Sequence, residues 1–137
     1  MAAMSVPEQL RKALAPVEGL QLAVLFGSVA RGTARRDSDL DVGLLIAEDR
    51  PDAWADAERA VRRAAGRVVD VIDLRTAPPQ LRFEIARDGA LLVEGAAGSW
   101  PDFKARAMID WWDWAPTARM IHAAAAARAR AHAHGPS

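Results

Sequence analysis

The chain has 137 residues, with 18 basic and 18 acidic side chains, no cysteine and no tyrosine, and about half of its residues are apolar. That length suits one domain of ~100–150 residues and not separate nucleotide and acceptor domains, and no segment forms a basic arm for salt-driven binding to a nucleic-acid backbone. Without cysteine, disulfides, thiol nucleophiles and thiolate metal sites are excluded together, which leaves carboxylates and histidines as candidate metal ligands.

The start of the chain, MAAMSVPEQLRKALAP, lacks the unbroken apolar stretch of a secretory signal, and no run approaches the ~18 residues that span a bilayer. A soluble, cytoplasmic protein is expected. Ser5-Val6-Pro7-Glu8 has capping-box spacing and opens a helix whose Leu10 and Leu14 share a face before Pro16 stops it. Leu20 to Phe26 is a short apolar run bracketed by Gly19 and Gly27, so it reads as a buried strand. Gly27 to Ser38 is polar and turn-rich, and Leu40 to Ile46 is a second strand interrupted by Asp41 and Gly43. Pro51 opens an amphipathic helix through Trp54, Ala57, Val61 and Ala64 to about Gly66.

Arg67 to Leu74 (RVVDVIDL) reads as a third strand from its β-branched content. Thr76 and Pro78 begin a helix on which Leu81 and Ile85 stack, ending near Gly89, and Ala90 to Val93 is a short fourth strand. Ser99-Trp100-Pro101 starts a helix through Phe103, Ala107 and Trp111. Pro116 is expected to interrupt it, with Thr117 capping a last Ala-rich helix. Strands alternating with helices predict an α/β layer with helices packed on a small sheet. The core spans about residues 5–95 and a helical extension about 99–133.

The stretch that carries chemistry is Phe26-Gly27-Ser28-Val29-Ala30-Arg31-Gly32-Thr33-Ala34-Arg35-Arg36-Asp37-Ser38-Asp39-Leu40-Asp41. Asp39 and Asp41 stand two apart at the mouth of an apolar strand, so the period of 2 puts both carboxylates on one face. Adjacent anions repel, and a cation should sit between them. Mg²⁺ is the economical choice, since it takes one or two carboxylates and completes its octahedron with water and phosphate oxygens. A turn through Asp37, Ser38 and Asp39 would account for two of the acids but not for Asp41 within the strand.

A third carboxylate should come from RVVDVIDL, where Asp70 and Asp73 lie on opposite faces because they are three apart. Asp70, flanked by Val69 and Val71, has no structural reason to be charged there, whereas a carboxylate at the strand end, such as Asp73, is ordinary. Asp70 is therefore the expected third member. Gly27-Ser28 after the first strand is a phosphate-cradle candidate, because glycine permits close backbone approach and the hydroxyl and N–H groups can donate to phosphate oxygens. Arg31 could reach the same phosphates or pair with an aspartate; Arg35 and Arg36 are read as solvated loop residues.

Gly27-Ser28, ten intervening residues, then Asp39-Leu40-Asp41, followed by a single acidic residue in a hydrophobic strand, resembles the signature of the minimal nucleotidyltransferases of the polymerase-β-like superfamily over about residues 5–95. The resemblance implies the fold of that superfamily, a small mixed β-sheet with helices packed on it and C-terminal helices, in a single nucleotidyltransferase domain over residues 1–137. It implies transfer of AMP from ATP to a hydroxyl with release of pyrophosphate. Two Mg²⁺ ions would be held by Asp39, Asp41 and Asp70, and Gly27 and Ser28 would grip the β- and γ-phosphates. Such an arrangement agrees with the general physics of in-line displacement between paired ions.

Short members of this type resemble the antitoxins of HEPN/MNT toxin–antitoxin pairs, in which the nucleotidyltransferase attaches AMP to a tyrosine of a helical HEPN-domain ribonuclease. The resemblance thus implies a HEPN-family toxin as partner and a hetero-oligomer with it. Because this chain has no tyrosine, a tyrosine acceptor must lie on another protein. Two rival readings are a binding module that masks its partner without chemistry and a transferase that modifies a small antibiotic-like hydroxyl compound.

Trp111, Trp112 and Trp114 crowd one helix and are expected mainly as core filling, but three indoles so closely spaced cannot all face inward, and one or two could form a partner-docking patch. His122, His132 and His134, with Arg128 nearby, sit on or after the last helix and are set aside as metal ligands or as a ribonuclease-like pair.

Overall fold

A computed structural model of the chain describes residues 4–27, 30, 32 and 39–133. Helix α1 (Val6–Leu14) starts with the expected capping box: the Ser5 hydroxyl accepts from the Glu8 N–H at 3.3 Å and the Glu8 carboxylate accepts from the Ser5 N–H at 3.2 Å, satisfying two donors that have no partner inside the helix. The strands β1 (Leu20–Phe26) and β2 (Leu40–Ile46) flank the polar stretch. Helix α2 (Ala53–Ala65) ends at Gly66, whose φ of 65° lies in the left-handed region that glycine adopts freely. Then follow β3 (Val69–Asp73), α3 (Pro79–Asp88), β4 (Ala90–Glu94) and α4 (Ser99–Ala133).

The strands form one mixed sheet in the order β3-β2-β1-β4. β1 runs antiparallel to both β2 and β4, while β3 runs parallel to β2 through the crossover helix α2. Leu10 and Leu14 of α1 and Ala57 and Val61 of α2 bury against Leu40, Val42 and Leu44 on one face. On the other face, Leu22, Val24 and Phe26 of β1 pack with Ile85 of α3 and Phe103 and Ala107 of α4. Full burial of each large side chain in these layers contributes ~1.5–3 kcal/mol. The period of 2 along β2 therefore sends Leu40, Val42 and Leu44 to the first face and Asp41, Gly43 and Leu45 to the second.

Gly43 has a packing reason. A Cβ there would overlap the Leu74 side chain, so the missing side chain lets Leu74 lie flat over mid-sheet. Both outer strands carry an arginine on a backbone carbonyl: Arg62 Nη1 donates to Val69 O at 3.0 Å on β3 and Arg11 Nη2 to Leu91 O at 3.2 Å on β4. These bonds occupy edge acceptors that would otherwise invite pairing with another strand.

The expected break at Pro116 does not occur. α4 is one helix of 35 residues with Pro116 inside it. Proline there removes only the hydrogen bond to the Trp112 carbonyl, and that turn faces water, with Trp112 69% exposed, so solvent can take the carbonyl. The Ala-rich sequence beyond it has high helix propensity and carries the helix on. β3 also starts two residues later than expected, at Val69. No described helix is long and apolar enough to cross a membrane.

Candidate active site

The carboxylates meet at one end of the second sheet face. In the parallel pairing of β2 with β3, Asp41 is the direct partner of Asp70, so both side chains leave the same face from neighbouring strands about 4.8 Å apart. Across the other ladder Asp41 pairs with Phe26, the last residue of β1, and Gly27 follows immediately. Gly27 has a φ of 79°, and a Cβ on it would overlap the Asp41 carboxylate. The turn after β1 is thus folded directly against Asp41, and only glycine supplies both the backbone angle and the space.

Burial grades outward through this group. Asp41 is half-buried, while Asp70 on the edge strand and Asp39, one residue ahead of β2, are exposed. Asp73 is separate, as expected: it pairs with Leu44, on the opposite face, and its Oδ1 accepts from the Arg75 N–H at 2.9 Å, closing the turn after the strand. Of the sequence-predicted site, the structure brings Asp41, Asp70 and Gly27 together, with Asp39 at the strand mouth. Ser28 and Arg31 lie outside the described residues, as do Arg35, Arg36 and Asp37.

The donor set fits a hard divalent cation. Two carboxylates facing each other in register offer oxygen ligands of the kind Mg²⁺ prefers, with room at an exposed sheet edge for water and phosphate oxygens. Among the described residues no group of three acidic or histidine side chains closes into a metal cage. His122 and His132 fall within α4, away from the strands, and His134 lies outside the described residues.

A cavity of about 480 Å³, lined by residues including Gln21, Leu45, Leu74, Arg82 and Phe103, opens on the same face at the other end of the sheet. Leu45 stands four residues along β2 from Asp41, about 13 Å at strand rise, and the buried Leu74 lies between, so this cavity is not part of the carboxylate site. Sequence reasoning missed the contact of Gly27 with Asp41. Its signal was present as a glycine directly after a strand whose partner strand carries an acid, but the pairing of Phe26 with Asp41 had to be known first.

A family model described as "Polymerase beta, Nucleotidyltransferase" matches residues 8–96. The protein adenylyltransferase MntA of Shewanella oneidensis is 37% identical over 75 residues, 53% of this chain and 53% of that protein; the chain therefore spans about half the length of the curated relative it matches. Among solved structures, a chain from a crystal structure of a toxin–antitoxin with AMP-PNP superposes with a TM-score of 0.69 at 26% identity, over 86% of this chain and 97% of that one. A chain from tri-AMPylated Shewanella oneidensis HEPN toxin in complex with MNT antitoxin shares the fold, with a TM-score of 0.64 at 23% identity over 87% of this chain and 95% of that one.

Proposed function

Since the chain belongs to the polymerase beta nucleotidyltransferase family, we propose that it moves AMP from ATP to a tyrosine hydroxyl of a HEPN-type ribonuclease toxin and so acts as the antitoxin. The observation that carries this reading is the register pairing of Asp41 with Asp70 beside a glycine turn that leaves room for the carboxylate. The relative named as a protein adenylyltransferase and the toxin–antitoxin structure with an ATP analogue support the choice of AMP and of a protein acceptor. The chain itself has no tyrosine, so a tyrosine acceptor comes from the partner.

In this reading Asp39, Asp41 and Asp70 hold divalent ions, Mg²⁺ in the cell, which when bound stabilise charge on the attacking and leaving oxygens. Asp41, half-buried and fixed between Gly27 and β3, is the anchor of the set. Asp70 stands on the exposed outer strand, where an incoming hydroxyl from another molecule meets it. Gly27, with Ser28 and Arg31 following, binds the triphosphate tail through backbone N–H groups, the hydroxyl and the guanidinium. The tyrosine oxygen forms a bond to the α-phosphorus as the bond to the pyrophosphate oxygen breaks; pyrophosphate leaves and the hydroxyl proton passes to solvent. The chain's contribution is positioning and charge, which dominate phosphoryl transfer.

The test is transfer of labelled AMP from ATP to a purified HEPN-type toxin. The wild type should label a tyrosine of that protein and release pyrophosphate, and Asp41→Asn should lower the rate by at least 10³-fold while keeping its circular dichroism. Wild-type-like transfer by Asp41→Asn would remove the site assignment. Neutralisation of the toxin by Asp41→Asn in cells would favour the masking reading instead.

A further inference from the structure

Helix α4 leaves large apolar side chains exposed on one side. Ile109, Trp112 and Met120 are 54%, 69% and 73% exposed, and every described side chain from Arg119 to Arg130 is exposed. At 100° per residue, Ile109, Trp112, Pro116 and Met120 fall within an arc of ~80°. Ala123 and Ala127 extend the same arc. It lies opposite the side that buries Phe103 and Ala107 and stacks Trp111 on Phe83 at 4.9 Å. The helix therefore has two apolar sides, of which the sheet and α3 use one. Spacing of three and four residues along the second side is that of a helix seam, and the alanines let a neighbouring helix approach to about 8 Å.

Charge selects the occupant. No acidic residue follows Asp113, while Arg119, Arg128 and Arg130 do, and all three are exposed. Two copies paired along residues 116–130 would bring three arginines and no acid from each side together, which disfavours self-association over this half. A helical partner with an apolar strip flanked by acidic side chains is complementary to both the seam and the charge. The outer edge of β3 suits a partner less well, because Arg62 already occupies Val69 O and the turn N–H groups of Thr76 and Ala77 occupy Asp73 O.

We infer that the α4 seam of Ile109, Trp112 and Met120, with Arg119 and Arg130 beside it, is where the acceptor protein docks through an acid-flanked helix. This rests on the reading that the acceptor is a helical protein. Docking there holds the acceptor by a surface separate from the reacting carboxylates, so affinity for the partner and chemistry at Asp70 are carried by different residues.

The experiment uses the full-length chain as wild type, Trp112→Glu/Met120→Glu, Arg119→Glu/Arg130→Glu and Asp41→Asn, with a purified HEPN-type toxin as probe. Calorimetric binding and AMP transfer are both read. The two seam variants should weaken binding by at least 30-fold and raise KM for the protein acceptor by a similar factor, with kcat at saturating acceptor and ATP binding within about twofold of wild type. Asp41→Asn should bind as wild type and transfer nothing. The charge variant should lose its deficit relative to wild type as salt rises towards 1 M, where exposed charges are screened.

Unchanged binding by both seam variants, with transfer intact, overturns the docking surface and leaves the proposed function standing. Binding that depends on the seam without any AMP transfer by the wild type overturns the transfer reading and leaves the surface standing. A wild-type dimer in light scattering that the seam variants abolish overturns the assignment in favour of a second copy. A wild type that neither binds nor labels the probe overturns both. Exposed positions leave folding intact, and circular dichroism of each variant establishes it.

Discussion

Gly27 and Asp41 touch so closely that the turn after β1 and the acid on β2 form one unit: glycine with φ 79° stands where any Cβ would overlap the carboxylate. Gly27→Ala therefore meets two penalties, a left-handed backbone angle and a clash with the anchor of the site. The expected loss is ~1–3 kcal/mol in denaturant unfolding, with AMP transfer reduced at least tenfold beyond what the lost folded fraction explains. An alanine variant with wild-type stability and rate would show that the turn does not hold Asp41.

In the proposed reaction, Asp70 and Asp73 divide function from structure on one strand. Asp70 faces Asp41 in register and is exposed, and like charges directly opposite on neighbouring strands destabilise by ~0.2–1 kcal/mol. Asp70→Asn should leave the melting temperature unchanged or raise it slightly while abolishing transfer. Mg²⁺ should raise the melting temperature of the wild type and not of Asp70→Asn, because a ligand stabilises only the state that binds it. Asp73→Ala should lose ~0.5–1 kcal/mol with the turn hydrogen bond and keep its activity. Reversal of the two phenotypes in thermal melts and transfer assays would exchange their roles.

Arg82 clamps α4 to α3. Its Nη1 donates to Asp110 Oδ2 at 2.6 Å, with the arginine side chain 17% and the aspartate 45% exposed, and its guanidinium carbon lies 5.5 Å from the centre of the Phe103 ring. Partial exposure of Asp110 weakens the pair, so Arg82→Ala is expected to cost ~1–2 kcal/mol, part of it from packing over Phe103. A double-mutant cycle with Asp110→Ala should show a coupling of about 0.5–1 kcal/mol. Strictly additive effects would reduce Arg82 to a packing role.

The acid limb of stability includes Asp52. Hydrogen bonds from Arg50 to its carboxylate, at 3.2 and 3.1 Å, hold its pKa below the ordinary carboxylate value, and the charge of Arg50 adds to this. A native pKa below the unfolded one means that its contribution is complete above the ordinary carboxylate range and fades as pH falls through the lowered native value. In a carboxyl NMR titration, Arg50→Ala should move Asp52 back up towards the ordinary value. An unmoved titration would show that Arg50 does not set it. Both groups are exposed, so the global change should be small.

Much of this was legible in the sequence because local signals agreed with the fold. The Ser5–Glu8 capping box and the apolar run Leu20–Phe26 follow from residue type and spacing; a period of 2 only sets Asp70 and Asp73 on opposite faces, and it was the flanking Val69 and Val71 that singled out Asp70 as the partner expected for Asp41. What spacing could not supply was pairing. That Asp41 stands between Phe26 and Asp70 depends on the strand order β3-β2-β1-β4, which is a property of the whole sheet, and so the contact of Gly27 with Asp41 was hidden. The tryptophans illustrate the same point: Trp111 stacks on Phe83 and lies 5.5 Å from Trp114, while Trp112 points away, a division fixed by where α3 lies.

Pro116 is the position where a local rule misleads, and it yields the sharpest test of the long helix. An interior proline costs ~3 kcal/mol relative to alanine, yet α4 continues from Ser99 to Ala133 through it. If the helix persists because only the Trp112 carbonyl loses its bond and the alanines beyond restore propensity, Pro116→Ala should repair one hydrogen bond and otherwise change nothing in the fold. Ellipticity at 222 nm should rise, and amide protons of residues 117–121 should exchange more slowly, since the turn no longer opens at the proline. The global unfolding free energy should move little, because the described side chains from Arg119 to Arg130 are exposed. A large gain in global stability would mean instead that the outer half of α4 folds as one unit with the sheet, and no gain in protection at 117–121 would mean that the helix is already broken there in solution.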